Sequence, residues 1–392
     1  MSTNDQIVIA GAGIGGLSAG LCLRNAGFDV QLVERIDEVC EVGAGILLAP
    51  NASNVHYNEL ELGNELDAVS APMTHFVITS SRGHTIFEGD VDSNDFAGPC
   101  RMIHRAALQR VLYDALGTER VLLSSPVAGF EVDDDGACAI TDDGRRIEGR
   151  ALIGADGIRS VVRAQLVGDD ADPLRYHGYT CWRGITDPFE HPDFPFRRLE
   201  EIQGRGLRAG MGYIDDERVY WWATCDAPEG QRDDPSTVRG ELLDVYSDFP
   251  PYFTAMIEAT PAARILRNDI CDRPPLRRWG TKAVTLLGDA AHPMAPNLGQ
   301  GACSAIEDAH MLAVCLGEID DIPTALRRYE QLRRPRTTDL QKKSRRFGTL
   351  GQASNPLVVR LREWSTRLLS PLMVEKQQRR LWAYDAAEVY QS

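Results

Sequence analysis

Gly11, Gly13 and Gly16 form a Gly-x-Gly-x-x-Gly run that directly follows a short apolar stretch, residues 6–10, and the acid Glu34 closes the next apolar stretch, 29–33. Each part of this pattern has a mechanical use. Gly11 permits a tight turn, Gly13 lets the backbone approach a pyrophosphate, Gly16 lets a helix pack closely, and Glu34 can accept hydrogen bonds from a ribose diol. A βαβ unit whose glycines serve packing alone is the bland alternative. Strand, glycine turn, helix, strand and acid in this order favour the binding of a dinucleotide.

A second glycine-flanked run lies at 286–301, Leu-Leu-Gly-Asp-Ala-Ala-His-Pro-Met-Ala-Pro-Asn-Leu-Gly-Gln-Gly. It reads as a buried strand, a sharp turn carrying Asp289, a Pro-rich bend and a helix start. Ala302, Ala305, Ile306, Ala309 and Leu312 recur at helical spacing, so Gly299 and Gly301 are placed at a helix N-terminus. The free N–H groups there suit an anionic or electron-rich ligand. A third element, Gly154-Ala155-Asp156-Gly157, follows an apolar strand and precedes a helix starting near Ser160. It lacks the three-glycine spacing of the first.

The rest of the 392-residue chain must position these turns, and its length suits two intimately joined domains. The net charge of −15 argues against a nucleic-acid surface. Nine scattered cysteines without a Cys-x-x-Cys pair indicate neither a zinc site nor a disulfide framework, and no metal is expected. They read as reduced thiols of a cytoplasmic protein. Residues 1–6 are short and polar, unlike a signal peptide or a membrane span.

Along the chain, 41–52 has no helical period and reads as a buried loop whose small residues would also let a flat ring lie against the backbone. Residues 76–87 alternate as a strand pair with a turn at Arg82-Gly83. His104-Arg105 opens a helix with Leu108, Val111, Leu112 and Leu116 on one face, and Arg105 near its start could reach a phosphate. Short strands fill 120–149, with turns at 133–136 and 142–144. From 176 to 270 the chain is aromatic-rich and alternating, with three of the six tryptophans, and predicts an antiparallel sheet inserted into an α/β scaffold. A helix over 325–332 gives way to a basic cluster, 333–336, around Pro335. Residues 356–382 carry Leu357, Leu361, Trp364, Leu368, Leu369 and Leu372 among many basic residues. That pattern predicts an amphipathic helix docked on the body, with attachment to a membrane surface as the less favoured alternative.

With these three glycine-bearing motifs in this order and separation, the chain resembles the single-component FAD-dependent aromatic hydroxylases, the flavoprotein monooxygenases that include para-hydroxybenzoate hydroxylase. The resemblance spans about residues 5–340. Tyr179-Thr180-Cys181-Trp182-Arg183-Gly184 and Pro296-Asn297-Leu298-Gly299-Gln300-Gly301 are most similar to urate hydroxylases, zeaxanthin epoxidases and salicylate-type hydroxylases. The resemblance implies an α/β fold with a discontinuous Rossmann-type FAD-binding domain (1–72, 99–174 and 276–345). A substrate-binding antiparallel-sheet domain (73–98 and 175–275) would be inserted into it, followed by a C-terminal helical segment (346–392).

It also implies roles. Gly11, Gly13, Gly16 and Glu34 would hold the ADP half of FAD, with Arg35 and Val127 as further cofactor-contacting positions. Arg105 would approach the pyrophosphate and Asp289 the ribityl or adjoining hydroxyls. Gly45 and its neighbours would line the ring system, and the helix beginning near Gly299 and Gly301 would face its pyrimidine edge. Asp156 and Gly157 belong to a motif tied to both FAD and the nicotinamide cofactor. Pro296 would sit beside the flavin face where oxygen reacts, and His292 would orient flavin-side groups. Arg208 and Tyr220 fall where urate hydroxylases carry an Arg and a Tyr that bind and polarise substrate; a salt-bridged Arg and a core Tyr are the alternative. Arg183 and Trp222 are weaker candidates for the pocket wall.

The implied cycle is reduction of FAD by NADH or NADPH, reaction with O2 to a flavin C4a-hydroperoxide, and transfer of one oxygen atom to a small aromatic or heteroaromatic substrate. An epoxidase or N-hydroxylase acting on a larger apolar substrate is one alternative. A flavin reductase or halogenase, or an inactive FAD-binding scaffold, is another, although the Gly-Trp-x-Trp-x-Ile-Pro signature of halogenases is absent. Neither nucleic acid nor membrane is expected as a partner, and the chain is expected to be a monomer or a homodimer.

Overall fold

A computed structural model of the chain describes residues 6–38, 44–91, 96–134, 136–168 and 172–391, without the side chains of 367–378 and 387. Its parallel sheet has five strands in the order Val284–Leu286, Ala151–Gly154, Ile7–Ala10, Val30–Val33 and Val121–Leu122. Every residue of Ile7–Ala10 and of Ala151–Gly154 is buried, which is why these strands read as unbroken apolar runs. The helix Ile14–Asn25 leaves the first strand through Gly11, whose φ of 105° only glycine adopts readily. It packs on the helix Gly301–Glu318. At Gly15 a Cβ would come to 2.9 Å from Leu287 and 3.1 Å from Ala305, so a bare backbone is what lets the two helices approach.

The second large sheet has seven strands in the order Leu266–Asp272, Arg175–Ile185, Val219–Asp226, Leu207–Tyr213, Arg198–Gln203, His75–Ser80 and Thr85–Asp90. All its pairings are antiparallel except that of Arg198–Gln203 with His75–Ser80, so the sheet is mixed rather than purely antiparallel. Its two faces bury different things. Trp182, Ala209, Met211, Trp221 and Ala223 pack beneath the helices Val238–Val245 and Pro251–Glu258, against Tyr246, Phe253 and Met256. Each large side chain fully buried there contributes roughly 1.5–3 kcal/mol. The opposite face turns toward the parallel-sheet body.

Several elements differ from the sequence reading. Residues 41–43 lie outside the described residues, but the remainder of the presumed loop is a strand, Gly45–Leu48, followed by a short helix, Pro50–Asn54, that Pro50 starts. Within 176–270, where the pattern predicts only sheet, two helices occur, Val238–Val245 and Pro251–Glu258. The helix expected to stop before Pro335 runs unbroken through it, Ile322–Gly351. Proline inside a helix costs about 3 kcal/mol, and here buried ion pairs made by Arg333 and Arg336 on either side hold the segment helical. The amphipathic helix Pro356–Trp382 exists, but its apolar positions are not all docked. Val359, Leu381 and Trp382 are buried, whereas Leu357, Leu361 and Trp364 are 75%, 63% and 63% exposed. The side chains of Leu368, Leu369 and Leu372 lie outside the described residues. No described helix is long and apolar enough to cross a membrane.

Candidate active site

The glycine turns from opposite ends of the chain come together: a Cβ on Gly15 would meet Leu287 and Ala305, and one on Gly288 would meet Ala305. At Gly13, the residue before the helix Ile14–Asn25, a Cβ would touch nothing within 4 Å; at Gly16 it would overlap Gly11 O. Gly13 therefore faces open space and Gly16 is a packing contact. Glu34 is buried, and its carboxylate accepts from the backbone N–H of Ala12 (2.6 Å), Arg35 (2.8 Å) and Ile36 (3.1 Å). Arg35 is exposed, and Ser125 N donates to Glu34 O (2.8 Å), which brings the chain leading to Val127 alongside. Gln109 Nε2 donates to Ala12 O (2.8 Å), tying the helix Arg105–Leu116 to the same turn. Arg105, at the head of that helix, is exposed.

Asp289 is exposed although its neighbours Gly288 and Ala290 are buried, and Gly301 lies beside it. The protein around it raises its carboxyl above the usual range by desolvation, opposed by the charges of His292 and Arg105. Reachable by solvent yet crowded by protein, it lines a recess. Asp156 caps the next helix, its Oδ2 accepting from Val161 N (2.7 Å) and Val162 N (3.3 Å), while Oδ1 is buried without a partner. Gly157 takes the left-handed φ of 80° that turns the chain there. Pro296 is exposed, Gly299 has φ 63°, and Gly301 opens the helix, as expected of an N-terminus aimed into a cleft.

Arg183, Arg208, Tyr220 and Trp222 all stand on the body-facing side of the seven-stranded sheet, since Arg183 pairs with Trp222, Trp222 with Gly210, and Gly212 with Tyr220. A Cβ on Gly210 would overlap the Trp222 indole, and one on Gly45 would overlap the Tyr220 ring, so both aromatics lie flat on bare backbone. Burial pushes the Tyr220 phenol well above its ordinary range against the pull of Arg183, which hydrogen-bonds it; the group is a neutral phenol at all ordinary pH. Arg183 also donates to Asn268 Oδ1 (2.8 Å). Arg208 is buried over the Trp222 ring at 5.3 Å, paired with Glu201 (3.2 Å) and donating to Asn297 Oδ1 (2.9 Å).

Residues 4–344 match the family described as FAD binding domain. The chain is 40% identical over 382 residues to an aurachin C monooxygenase/isomerase of Stigmatella aurantiaca, covering 97% of this chain and 98% of that one. The chain belongs to the FAD-dependent monooxygenase family. The flavoprotein is also 34% identical over 356 residues to a chloroplastic zeaxanthin epoxidase of Solanum lycopersicum, covering 84% of this chain but only 52% of the epoxidase. Among solved structures it is similar to Klebsiella pneumoniae HpxO complexed with FAD and uric acid, with a TM-score of 0.89 at 27% identity over 96% of this chain and 97% of that one.

The flavoprotein's cleft contains residues to which the sequence reading gave no role. Asn297 is a junction: its Oδ1 accepts from Arg208 and from Tyr179 OH (3.1 Å), and its Nδ2 donates to Ser344 O (3.0 Å). Asn51 Nδ2 donates to Gln300 Oε1 (3.0 Å) and Glu307 Oε1 (2.5 Å), leaving Asn51 Oδ1 and Gln300 Nε2 buried without partners beside the helix start. Below them Arg333 pairs with Glu307 (2.7 Å) and Asp308 (2.6 Å), and Asp308 also holds His292 (2.5 Å) and Gly288 N (3.0 Å). Burial would raise the Asp308 carboxyl, but His292 and Arg333 outweigh it and hold it down at about 2. His292 thus belongs to a buried ion network that braces the Asp289 turn. The sequence signal for this network was the pair Glu307-Asp308 inside an otherwise apolar helix.

Proposed function

We propose that the chain is an NAD(P)H-dependent FAD monooxygenase that uses O2 to hydroxylate a small aromatic or heteroaromatic compound. The observation that carries this reading is at Tyr220, whose ring rests on Gly45 of the cofactor side while its phenol is bonded to Arg183 of the sheet. On this reading 1–72, 99–174 and 276–345 form the FAD-binding domain, 73–98 and 175–275 the substrate-binding domain, and 346–392 a C-terminal helical segment.

The residues present fit FAD. The open space over Gly13 at a helix N-terminus suits the pyrophosphate, with Arg105 as its counter-charge. Gly11 and Gly16 shape that turn, Glu34, Arg35 and Val127 flank the ADP half, and Asp289 in its recess suits the ribityl hydroxyls. Asp156 and Gly157 stand at the turn shared with the nicotinamide cofactor. Gly45, Gly299, Gly301 and Pro296 would border the ring system, where the unpartnered Asn51 Oδ1 and Gln300 Nε2 offer an acceptor and a donor. Bound FAD supplies the electron storage and the activation of O2.

The protein's own work is orientation and exclusion of water. Trp222, set between Gly210 and the Arg208 guanidinium, is a fixed wall for the substrate side of the site. The neutral Tyr220 phenol can donate to, or accept from, a polar group on the substrate, and Arg183 fixes its orientation. Arg208 supplies positive charge that favours the developing anionic form of a phenol-like substrate as its ring becomes electron-rich.

Purified protein should be yellow, and NAD(P)H oxidation should accelerate in the presence of the correct aromatic compound, with hydrogen peroxide measured in parallel to separate substrates from uncoupling effectors. Colourless protein without affinity for FAD at micromolar concentration overturns the reading. A second reading, epoxidation or N-hydroxylation of a larger apolar compound, is favoured by the relationship to zeaxanthin epoxidase; identification of the product separates the two.

A further inference from the structure

We infer that the end of the helix Ile322–Gly351 and the start of the helix Pro356–Trp382 form a docking surface for an anionic lipid bilayer. The inference goes beyond the oxygenation reading and does not depend on it. Leu357, Leu361 and Trp364 recur at i, i+4 and i+7 along one helical stripe, and all three are exposed. Phe347 and Leu350, at the end of the preceding helix, are 44% and 57% exposed. Arg362 joins the two helices by donating to Leu350 O (3.2 Å) and Gly351 O (2.7 Å). A folded protein leaves isolated apolar side chains in water routinely, but a run of five large ones on adjoining helix ends marks an interaction site.

The charge around the run selects the occupant. Between 342 and 364 there are six basic residues and one acidic, and with Lys343 paired to Asp339, Arg345 to Asp272 and Arg362 held on backbone carbonyls, Lys342, Arg346 and Arg360 remain to charge the surface, in a chain whose total is −15. Lys342, Arg346 and Arg360 are exposed beside the apolar residues, Arg346 next to Phe347 and Arg360 next to Leu361. Apolar side chains with an aromatic at the edge and cations around them match the boundary between acyl chains and anionic headgroups. A neutral protein partner would gain nothing from the cations, and a second copy of this surface would bring them together.

The surface is also continuous with the candidate site. The buried side of the helix Ile322–Gly351 carries Ser344, which holds Asn297 and Ala295 O (2.5 Å). A Cβ on Gly348 would come to 2.6 Å from Asn297 Nδ2, and one on Gly351 to 2.8 Å from Arg208 Cδ. One helix therefore separates Arg208 from the proposed bilayer contact.

The test is sedimentation of the holoenzyme with vesicles of mixed phosphatidylcholine and phosphatidylglycerol, and with phosphatidylcholine alone. The protein should pellet with the mixed vesicles at low salt and far less with phosphatidylcholine or at high salt. Leu361→Glu with Trp364→Glu should lower the partition roughly tenfold or more, and Arg346→Glu with Arg360→Glu likewise. All four side chains are exposed, so thermal melts of both double variants should match the parent. Failure to pellet with the mixed vesicles, or equal pelleting by the variants, overturns the inference. So does a lipid-free dimer that Leu361→Glu with Trp364→Glu converts to a monomer, since the surface would then be a contact between copies of this chain.

Discussion

Arg208 and Asn297, on a sheet strand and on the turn before a helix, are joined by a 2.9 Å hydrogen bond. Through Tyr179 and Ser344 the same Asn297 amide also reaches a second strand and a second helix. Asn297→Ala leaves a buried guanidinium N–H and the Tyr179 hydroxyl without their acceptor, which costs roughly 1–3 kcal/mol. A lowered melting temperature together with more hydrogen peroxide per NAD(P)H consumed is the expected result. Unchanged coupling would mean that Asn297 acts on stability alone.

Gly13 and Gly16 should respond differently to substitution if the proposed FAD site is correct. Gly13→Val adds a side chain to open space, so the protein should melt normally yet retain no flavin after gel filtration. Gly16→Ala drives a Cβ into Gly11 O and should cost about 3 kcal/mol or more whether or not FAD is present.

Gly45 is a bed for the Tyr220 ring. Gly45→Ala should displace that ring, with a stability loss of about 1–3 kcal/mol and a marked fall in substrate-stimulated turnover. Tyr220→Phe, which keeps the ring and removes the phenol, should leave stability nearly unchanged. If Tyr220→Phe turns over as well as the parent, the phenol has no part in substrate binding.

Asp308 holds His292, Arg333 and the Gly288 amide at once. Asp308→Ala leaves Arg333 paired with Glu307 alone and removes the partner of His292 and of the Gly288 amide, and should cost roughly 1–3 kcal/mol by urea denaturation. Because the Asp289 turn rests on this network, flavin affinity should fall along with stability.

His56 gives the acid limb of stability. Burial lowers its ring to about 4 from an ordinary 6.5, and its Nε2 is bonded to Ser18 Oγ at 3.0 Å. The unfolded chain therefore takes up a proton on His56 from pH 6.5 downward and the folded chain only near pH 4. Stability from this group is full above pH 6.5 and falls as the pH drops to 4, by about 3 kcal/mol in total. The Asp308 carboxylate, held at about 2, adds its loss only below the ordinary carboxylate range. His56→Gln, which can keep the Ser18 bond, should flatten the melting curve against pH between 6.5 and 4; an unchanged slope there would reject the assignment.

What could be read in the sequence was local. The strands Ile7–Ala10 and Val30–Val33, the glycine turns and the helix from Gly301 all follow from spacing within a few residues. Tyr220 and Trp222, two apart on one strand, must share a side; that Arg183 and Arg208 stand on the same side depends on the registers between strands, which only the fold shows. What could not be read depended on partners far away in the chain. Arg333 reads only as part of a basic cluster, yet it is fully buried because its carboxylates come from another helix. Those same ion pairs override the helix-breaking tendency of Pro335. Asn297 lay in plain view within its motif, but its three partners come from elements that only folding brings to it.

The strand order of the parallel sheet sets the moment in synthesis at which the two glycine turns can meet. Ala151–Gly154 has one neighbour at the N-terminus, Ile7–Ala10, and the other, Val284–Leu286, emerges from the ribosome long afterwards. Asn51 meets Glu307 across 256 residues of chain. A nascent chain that has already made its first glycine turn must therefore wait, with an apolar strand edge unpaired, for most of the remaining polypeptide. Slow maturation, chaperone dependence during overproduction and better yields at reduced expression rates follow from that topology.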